Sequence, residues 1–211
     1  MKMPQIKICG ILNLDDAEFC ISQTVDFLGF IFYKNSKRYI SYKQASPIIE
    51  KIKDRVFAVA VCVNPNNEDI DMINNIGFSH IQLHGSESTD NVNTLKKMTD
   101  CKIIKAFGVK ESSDLDIINE YSSLVDMFLL DAKPSMSEQP GGNAKTFNWS
   151  ILDSFHTNNN FFLSGGLNIN NIKKAKQSVR TNFFDISSGV ESSPGIKDRK
   201  LITQFIDMVK V

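Results

Sequence analysis

The sequence predicts an α/β protein, folded as a single closed (β/α)8 TIM barrel with eight parallel strands. Short apolar segments alternate eight times with segments whose apolar residues recur at helical spacing. The 211 residues, 42% of them hydrophobic, suffice for one compact core, and no change in composition marks a boundary. Glycine-containing loops follow the last two predicted strands. We expect one domain over residues 1–211; a doubly wound sheet is the alternative.

Each predicted strand is a short apolar or alternating run. The β-branched run 56–63 is typical of a strand buried on both faces. The predicted strands are residues 5–9, 27–32, 56–63, 80–84, 102–109, 127–130, 161–163 and 183–186.

A helix is predicted after each strand. Asn13 and Ser41 begin capping-box patterns at the first two helices. Leu115, Ile118 and Tyr121 indicate a helix after strand five, and a short helix is expected around 148–155, after the long loop 132–146. Between the last two strands we expect a helix capped by Asn168.

The composition argues against several classes of partner. Lysines and arginines number 24, as do aspartates and glutamates, so no basic field favours nucleic acid. The first residues lack the apolar segment of a signal peptide, and the longest apolar run, 56–63, is too short to span a bilayer. We therefore expect a cytoplasmic protein with no nucleic-acid or membrane partner.

The cysteines and histidines do not predict a metal site. The four cysteines are scattered, without the spacing of a disulfide framework or of metal ligands. On a strand, His80 and His84 would be separated by roughly 13 Å, at about 3.3 Å per residue, which makes a shared metal ion implausible.

Period-two alternation turns polar side chains into the barrel. The side chains predicted to face its axis are Lys7, Cys9, Gln82, His84, Asp131, Asp185 and Ser187. Cys9, His84, Asp131 and Ser187 fall at the carboxyl ends of strands, on the face that carries the active sites of such barrels.

Each candidate also has a simpler interpretation. Cys20, Cys62 and Cys101 are interpreted as small buried hydrophobes, whereas Cys9 precedes Gly10 at a strand mouth and is interpreted as functional. Asp131 could simply cap the strand or interact with solvent. Arg38, in the loop after strand two, is either a surface charge or the ligand of a carboxylate.

Two glycine loops suggest where a phosphate would bind. Gly165 and Gly166 follow strand seven, and Ser188 and Gly189 follow strand eight. One such loop would most simply be a turn, but two on neighbouring strands predict a phosphate site. No G-x-S-x-G elbow surrounds the serines, so a triad nucleophile is not predicted.

Motifs along the whole chain resemble the phosphoribosylanthranilate isomerase family of tryptophan biosynthesis. Each is weak alone, but together, in this order, they are specific. The matching stretches are residues 7–10, 29–32, 36–39, 63–64, 82–85, 130–131, 141–142, 145–147, 149, 164–167, 185–191, 194–195 and 197–198.

The resemblance implies an Amadori rearrangement of N-(5-phosphoribosyl)anthranilate, a small phosphosugar. It implies Asp131 as the general acid and Cys9 as the base, a thiolate assisted by positive charge such as Lys7 or the substrate iminium. It further implies substrate binding by Arg38, His84, Gly165, Gly166, Ser188 and Gly189, supported by Lys7 and Asp185. It implies no metal or organic cofactor. Either a monomer or a homodimer is compatible with it.

One loop departs from the family pattern. Ala144 replaces a glycine and Asn148 an aspartate, and we expect Asn143 to take the strained position of the missing glycine. Indole-glycerol-phosphate synthase and a histidine-pathway isomerase are the nearest rivals. Indole-glycerol-phosphate synthase relies on a lysine and glutamates at strand ends, which are not found here. The histidine-pathway isomerase uses paired aspartates and shows a half-barrel repeat, which are also not found. A catalytically weak phosphosugar-binding barrel is the rival from another class.

Overall fold

The computed structural model describes residues 3–133 and 146–210. Within these ranges eight parallel strands close into a barrel in sequence order, as predicted. The strands are β1 (Gln5–Cys9), β2 (Phe27–Ile31), β3 (Phe57–Cys62), β4 (His80–Leu83), β5 (Lys102–Val109), β6 (Met127–Ala132), β7 (Asn160–Leu163) and β8 (Phe183–Ile186). The expectations for Asn143 and Ala144 lie outside the described residues. A single domain over 1–211 stays a prediction.

Closure of the barrel joins the two ends of the chain. β1 pairs with β8 on one side, where Lys7 lies opposite Asp185, and with β2 on the other, where Cys9 lies opposite Gly29. Because all eight strands are parallel, their carboxyl ends meet at one face. That face collects the side chains that end β1, β4, β6 and β8.

Helices cover the outside of the barrel in the described parts of the chain. The α-helices are α1 (Leu14–Ser22), α2 (Tyr42–Ile52), α3 (Asn67–Ile76), α4 (Thr89–Lys96), α5 (Ile172–Ser178) and α6 (Arg199–Lys210). The predicted caps hold at α1 and α2: Asn13 accepts from the Asp16 N–H, and Ser41 forms a capping box with Gln44.

The apolar core has two layers, as the alternation predicted. Ile6 and Ile8 belong to the large layer between strands and helices. Cys9, Val61 and Phe162 belong to a smaller cluster inside the barrel. One face of each strand thus builds the outer core, and the other fills the barrel below the site.

Three predicted helices differ in the structure. Residues Ser112–Tyr121 and Trp149–Ser154 form 3-10 helices. Asn168 does not cap α5, which begins at Ile172. The backbone N–H of Asn168 instead donates to the Asn171 Oδ1. The side-chain amides of Asn168 and Asn171 both donate to the Gly166 carbonyl. These bonds fold residues 168–171 into a turn before the helix.

A small hairpin after β8 was not predicted. Strands β9 (Glu191–Ser193) and β10 (Ile196–Lys197) pair antiparallel, with Gly195 at φ 87° in the turn. The hairpin brings Glu191 and Lys197 to the mouth of the barrel, and both side chains are buried there.

Candidate active site

The carboxyl ends of the strands form a pocket lined by five of the ten predicted site residues, namely Cys9, Arg38, His84, Asp131 and Asp185. Cys9 ends β1, His84 follows β4, Asp131 lies near the end of β6 and Asp185 lies in β8. The residues that line the pocket are Cys9, Ile31, Tyr33, Ser36, Arg38, Val61, Val63, Gln82, His84, Asp131, Ser164, Asp185 and Ser187. The predicted inward direction of these strand residues is confirmed.

Lys7 lies one layer below the pocket and is fully buried. Its Nζ donates to the Asp185 Oδ1 at 2.8 Å, and Ser164 Oγ donates to the other carboxylate oxygen at 3.1 Å. Burial alone would lower the pKa of Lys7, but the Asp185 carboxylate and Cys9 outweigh it and raise the pKa. Lys7 is therefore positively charged at neutral pH, beneath the Cys9 side chain.

Burial and neighbouring charges shift the pKa of the Cys9 thiol in opposite directions. Burial raises the pKa of the Cys9 thiol, Lys7 acts to lower it, and Asp185 acts to raise it. The net direction is upward, so the resting side chain is a thiol. Two positive charges were expected to assist a thiolate, Lys7 and the substrate iminium. Lys7 alone does not bring the pKa of Cys9 below its ordinary value, because desolvation exceeds the attraction of the ammonium.

Asp131 has the properties of a proton donor near neutrality. Burial and the nearby Asp185 carboxylate raise the pKa of Asp131 to about 7. One of its oxygens accepts from the Ala132 N–H at 2.7 Å. The other lies 3.6 Å from the His84 Nε2. Burial lowers the pKa of His84 to about 4, so the imidazole beside Asp131 is neutral at pH 7.

Arg38 is held at the pocket by a glutamate that follows β8. Its Nε and Nη2 donate to the two oxygens of Glu191 at 2.8 and 2.7 Å. Gly10, at φ 83°, makes room for the arginine stem: a Cβ there would lie 2.6 Å from the Arg38 Cδ. Arg38 is therefore not the surface charge of the simpler interpretation, because it is buried and bound at two points.

The backbone of Cys9 is anchored from the opposite end of the chain. Its carbonyl oxygen accepts from Lys197 Nζ at 2.7 Å and from Ser187 Oγ at 2.9 Å. Lys197 Nζ also donates to Glu191 at 2.7 Å. The loop after β8 and the hairpin thus fix the position of the sulfur through its main chain.

The two glycine loops touch each other beside the pocket. Gly165 and Gly166 adopt positive φ angles of 85° and 61°. A Cβ on Gly189 would lie 2.0 Å from the Leu167 carbonyl oxygen, so only glycine permits this contact. Within the described ranges, the N–H groups of Gly165, Gly166, Ser188 and Gly189 donate no hydrogen bond to loop or side-chain acceptors.

Two polar residues of the site received no role from the sequence. Glu191 and Lys197 were noticed only as parts of the matching stretches. Their signal was weak, because both stand among polar residues in a segment with no strand-like alternation. What distinguishes them is burial: their side chains are 3% and 0% exposed.

In the part of the chain that the structure describes, no helix combines the length and apolar character needed to cross a membrane. The combination of fold and site defines the class: a (β/α)8-barrel enzyme with a buried acid, a buried cysteine and an arginine at the mouth of the barrel.

Comparison with known proteins gives the family. Residues 6–208 match the family model of N-(5'phosphoribosyl)anthranilate (PRA) isomerase. A relative from Sinorhizobium fredii, an N-(5'-phosphoribosyl)anthranilate isomerase, is 41% identical over 212 residues, which cover 100% of this chain and 94% of the relative. The chain belongs to the PRA isomerase family, and it is an isomerase of tryptophan biosynthesis.

Solved structures agree with this assignment. Phosphoribosyl anthranilate isomerase from Thermotoga maritima is 38% identical, with a TM-score of 0.87 over 99% of both chains. A second structure, 36% identical with a TM-score of 0.84 over 99% of both chains, shows a phosphoribosyl anthranilate isomerase in complex with reduced 1-(o-carboxyphenylamino)-1-deoxyribulose 5-phosphate.

Proposed function

We propose that this chain converts N-(5'-phosphoribosyl)anthranilate (PRA) to 1-(2-carboxyphenylamino)-1-deoxyribulose 5-phosphate, with Asp131 as the acid and Cys9 as the base. The observation that carries the proposal is their joint position. Both are buried in one pocket, at the carboxyl ends of β1 and β6, and Asp131 has a pKa of about 7. An acid that is half protonated near neutrality suits a ring-opening step.

The first proposed step breaks the furanose ring. Asp131 gives its proton to the ring oxygen while the bond from that oxygen to C1′ breaks, and the anilino nitrogen supplies the electron pair. The product is an open-chain iminium with a free hydroxyl at C4′. Neutral His84, 3.6 Å from the Asp131 carboxyl, can hydrogen-bond the carboxylate that remains.

The second proposed step removes the proton from C2′. The positive iminium next to C2′ lowers the pKa of the nearby Cys9 thiol, which burial holds high in the free protein. Lys7 beneath it acts in the same direction. The thiol releases its proton to solvent, and the resulting thiolate takes the C2′ proton while the electrons of the C2′–H bond neutralise the iminium and form the enolamine. The enolamine hydroxyl then loses its proton and C1′ gains one, which gives the ketone, and Asp131 regains from solvent the proton that it gave to the ring oxygen. The product is an isomer of the substrate.

The rest of the substrate is proposed to bind at two places on the rim. Arg38 binds the anthranilate carboxylate with its guanidinium. The phosphate binds at the two glycine loops, where N–H groups of Gly165, Gly166, Ser188 and Gly189 are available within the described structure. With the carboxylate and the phosphate bound at these two places, the reacting ribose carbons lie above Cys9 and Asp131.

The proposed setting is a cytoplasmic reaction of a small phosphosugar, catalysed by a monomer or a homodimer without nucleic acid or membrane. The test of function is direct. Purified protein is mixed with freshly generated PRA, and the loss of its fluorescence is followed beside a protein-free sample that measures spontaneous decay. We expect catalysed loss and a carboxyphenylamino-deoxyribulose phosphate product. Decay at the protein-free rate would contradict the proposal.

A further inference from the structure

The Glu191 carboxylate is shared between two cations at the rim of the pocket. Its Oε1 accepts from Arg38 Nε at 2.8 Å and from Lys197 Nζ at 2.7 Å, and its Oε2 accepts from Arg38 Nη2 at 2.7 Å. The Glu191 side chain is 3% exposed and that of Arg38 is 10% exposed. Glu191 is not among the residues that line the pocket, yet both of its carboxylate oxygens accept from the head of Arg38.

The bidentate contact leaves one edge of the guanidinium available. Arginine carries five N–H donors in a flat fork. Glu191 takes the edge formed by Nε and Nη2, while Nη1 contacts no acceptor within residues 3–133 and 146–210. The edge formed by Nη1 and Nη2 therefore remains for a second planar anion. Arg38 lines the same pocket as Cys9 and Asp131.

Packing fixes the arginine from its other side. The Arg38 Cδ lies where a Cβ of residue 10 would be only 2.6 Å away, so the stem occupies a slot that exists because residue 10 is glycine. A side chain held at both its stem and its head loses little rotamer entropy when it binds a ligand. The arginine is thus prepared for an anion before any anion arrives.

We propose that Glu191 is a positioning residue that makes the enzyme selective for a carboxylated arylamine. It turns the Nη1 and Nη2 edge of Arg38 towards the carboxylate of the substrate. The proposal rests on the proposed function, in which Arg38 binds that carboxylate. Glu191 itself touches no reacting atom.

A second contact of Glu191 must be separated from this one. Lys197, its other partner, donates to the Cys9 carbonyl, so a change at Glu191 can also disturb the base. A disturbed base slows every substrate alike. A disturbed Arg38 slows only a substrate that has the carboxylate. The ratio of kcat/KM between a substrate with the carboxylate and one without it isolates the contribution of Arg38.

The experiment compares PRA with the analogue made from aniline, which lacks the carboxylate. The wild type, Glu191→Gln and Glu191→Asp are measured on both. Removing one charged hydrogen-bond partner should lower the PRA-to-aniline ratio roughly tenfold, mainly through KM for PRA. The shorter aspartate keeps the charge and should lose less. In an Arg38→Lys background, Glu191→Gln should lower the ratio no further.

Glu87→Gln serves as the matched control. Glu87 is a carboxylate with a 4% exposed side chain that pairs with Lys105 at 3.0 Å, outside the residues that line the pocket. It should leave the ratio unchanged. The proposal is overturned if Glu191→Gln keeps the ratio within about twofold of wild type, or if Glu87→Gln lowers it equally. If Glu191→Gln fails to fold, Glu191→Asp takes its place, and a ratio equal to that of the wild type overturns the proposal. A wild type that does not turn over PRA would refute the proposed function itself, before any variant is compared.

Discussion

Lys7 and Asp185, 178 residues apart in the sequence, form an ion pair of 2.8 Å with the ammonium fully buried inside the barrel. The pair joins β1 to β8, the two strands whose contact closes the barrel. Such a pair does not guarantee net stability, but removing one partner leaves an uncompensated buried charge.

Asp185→Asn is therefore expected to destabilise the protein by about 3–5 kcal/mol, measured by urea unfolding at pH 7. Glu50→Gln is the control, since Glu50 pairs with Lys53 at 3.0 Å on the surface, with side chains 70% and 38% exposed. Its loss should change the unfolding free energy by less than about 0.5 kcal/mol. Equal effects of the two substitutions would show that the buried pair has no special role.

Asp131 should make stability depend on pH. Its pKa in the folded protein, about 7, lies above the ordinary value of 3.8. Between these values the folded state holds a proton that the unfolded state has lost, so the stability contributed by the protonated side chain falls as pH rises, by at most about 1.4 kcal/mol per unit. Above pH 7 both states are ionised, and the contribution is lost.

Asp131→Asn removes this titration. The unfolding free energy of the variant relative to wild type should increase from pH 4 to pH 7 and then level off. Urea unfolding of both proteins at a series of pH values measures the difference. A difference that is constant across this range would mean that Asp131 has an ordinary pKa, and it would remove the main support for its role as the acid.

The strands were predictable because each is a short apolar run whose alternation matches the two core layers. The helix type of Ser112–Tyr121 was not predictable from the sequence. Leu115, Ile118 and Tyr121 recur every three residues, and this spacing fits a 3-10 helix as well as an α-helix. The late start of α5 depends on asparagine side chains that bond the Gly166 carbonyl, and a pattern of apolar positions does not report such bonds.

The members of the site were easier to predict than their charge states. Parallel strands end at one face, so Cys9 and Asp131 could be placed together from alternation alone. The contact of Arg38 with Glu191 spans 153 residues and a hairpin without a strand-like pattern. The raised pKa of Cys9 depends on how burial compares with Lys7, and that balance requires three-dimensional distances.

Arg38→Lys keeps the positive charge but loses the flat fork. We expect weaker binding of PRA, seen mainly as a higher KM, because a lysine cannot bind Glu191 and a second carboxylate at the same time through parallel pairs of bonds. Steady-state kinetics of the wild type and Arg38→Lys at constant ionic strength measures the change in KM for PRA. An unchanged KM would mean that the anthranilate carboxylate is bound elsewhere.

Gly189→Ala should separate the two glycine loops. Its Cβ would lie 2.0 Å from the Leu167 carbonyl oxygen, so the loops after β7 and β8 must move apart. We expect KM for PRA to rise and competitive inhibition by inorganic phosphate to weaken.

Gly77→Ala is the matched control for a glycine substitution. Gly77 has φ 89° at the end of α3, and a Cβ there would meet only the Lys53 Cδ, at 4.0 Å, so alanine should lower stability by about 1–2 kcal/mol without affecting KM. An unaltered phosphate affinity in Gly189→Ala would place the phosphate away from these loops.

The proposal that Cys9 removes the C2′ proton is tested most directly by the turnover of Cys9→Ala. General bases contribute roughly 10²–10⁴-fold, and alanine has no group that can accept the proton. We expect kcat for PRA to fall by at least about 10²-fold on that scale, with substrate binding retained and with Cys9→Ser little better than alanine. Cys62→Ala, at a buried cysteine outside the pocket, should keep turnover near the wild-type value. Near wild-type turnover by Cys9→Ala would show that Cys9 is a packing residue and that another group takes the proton.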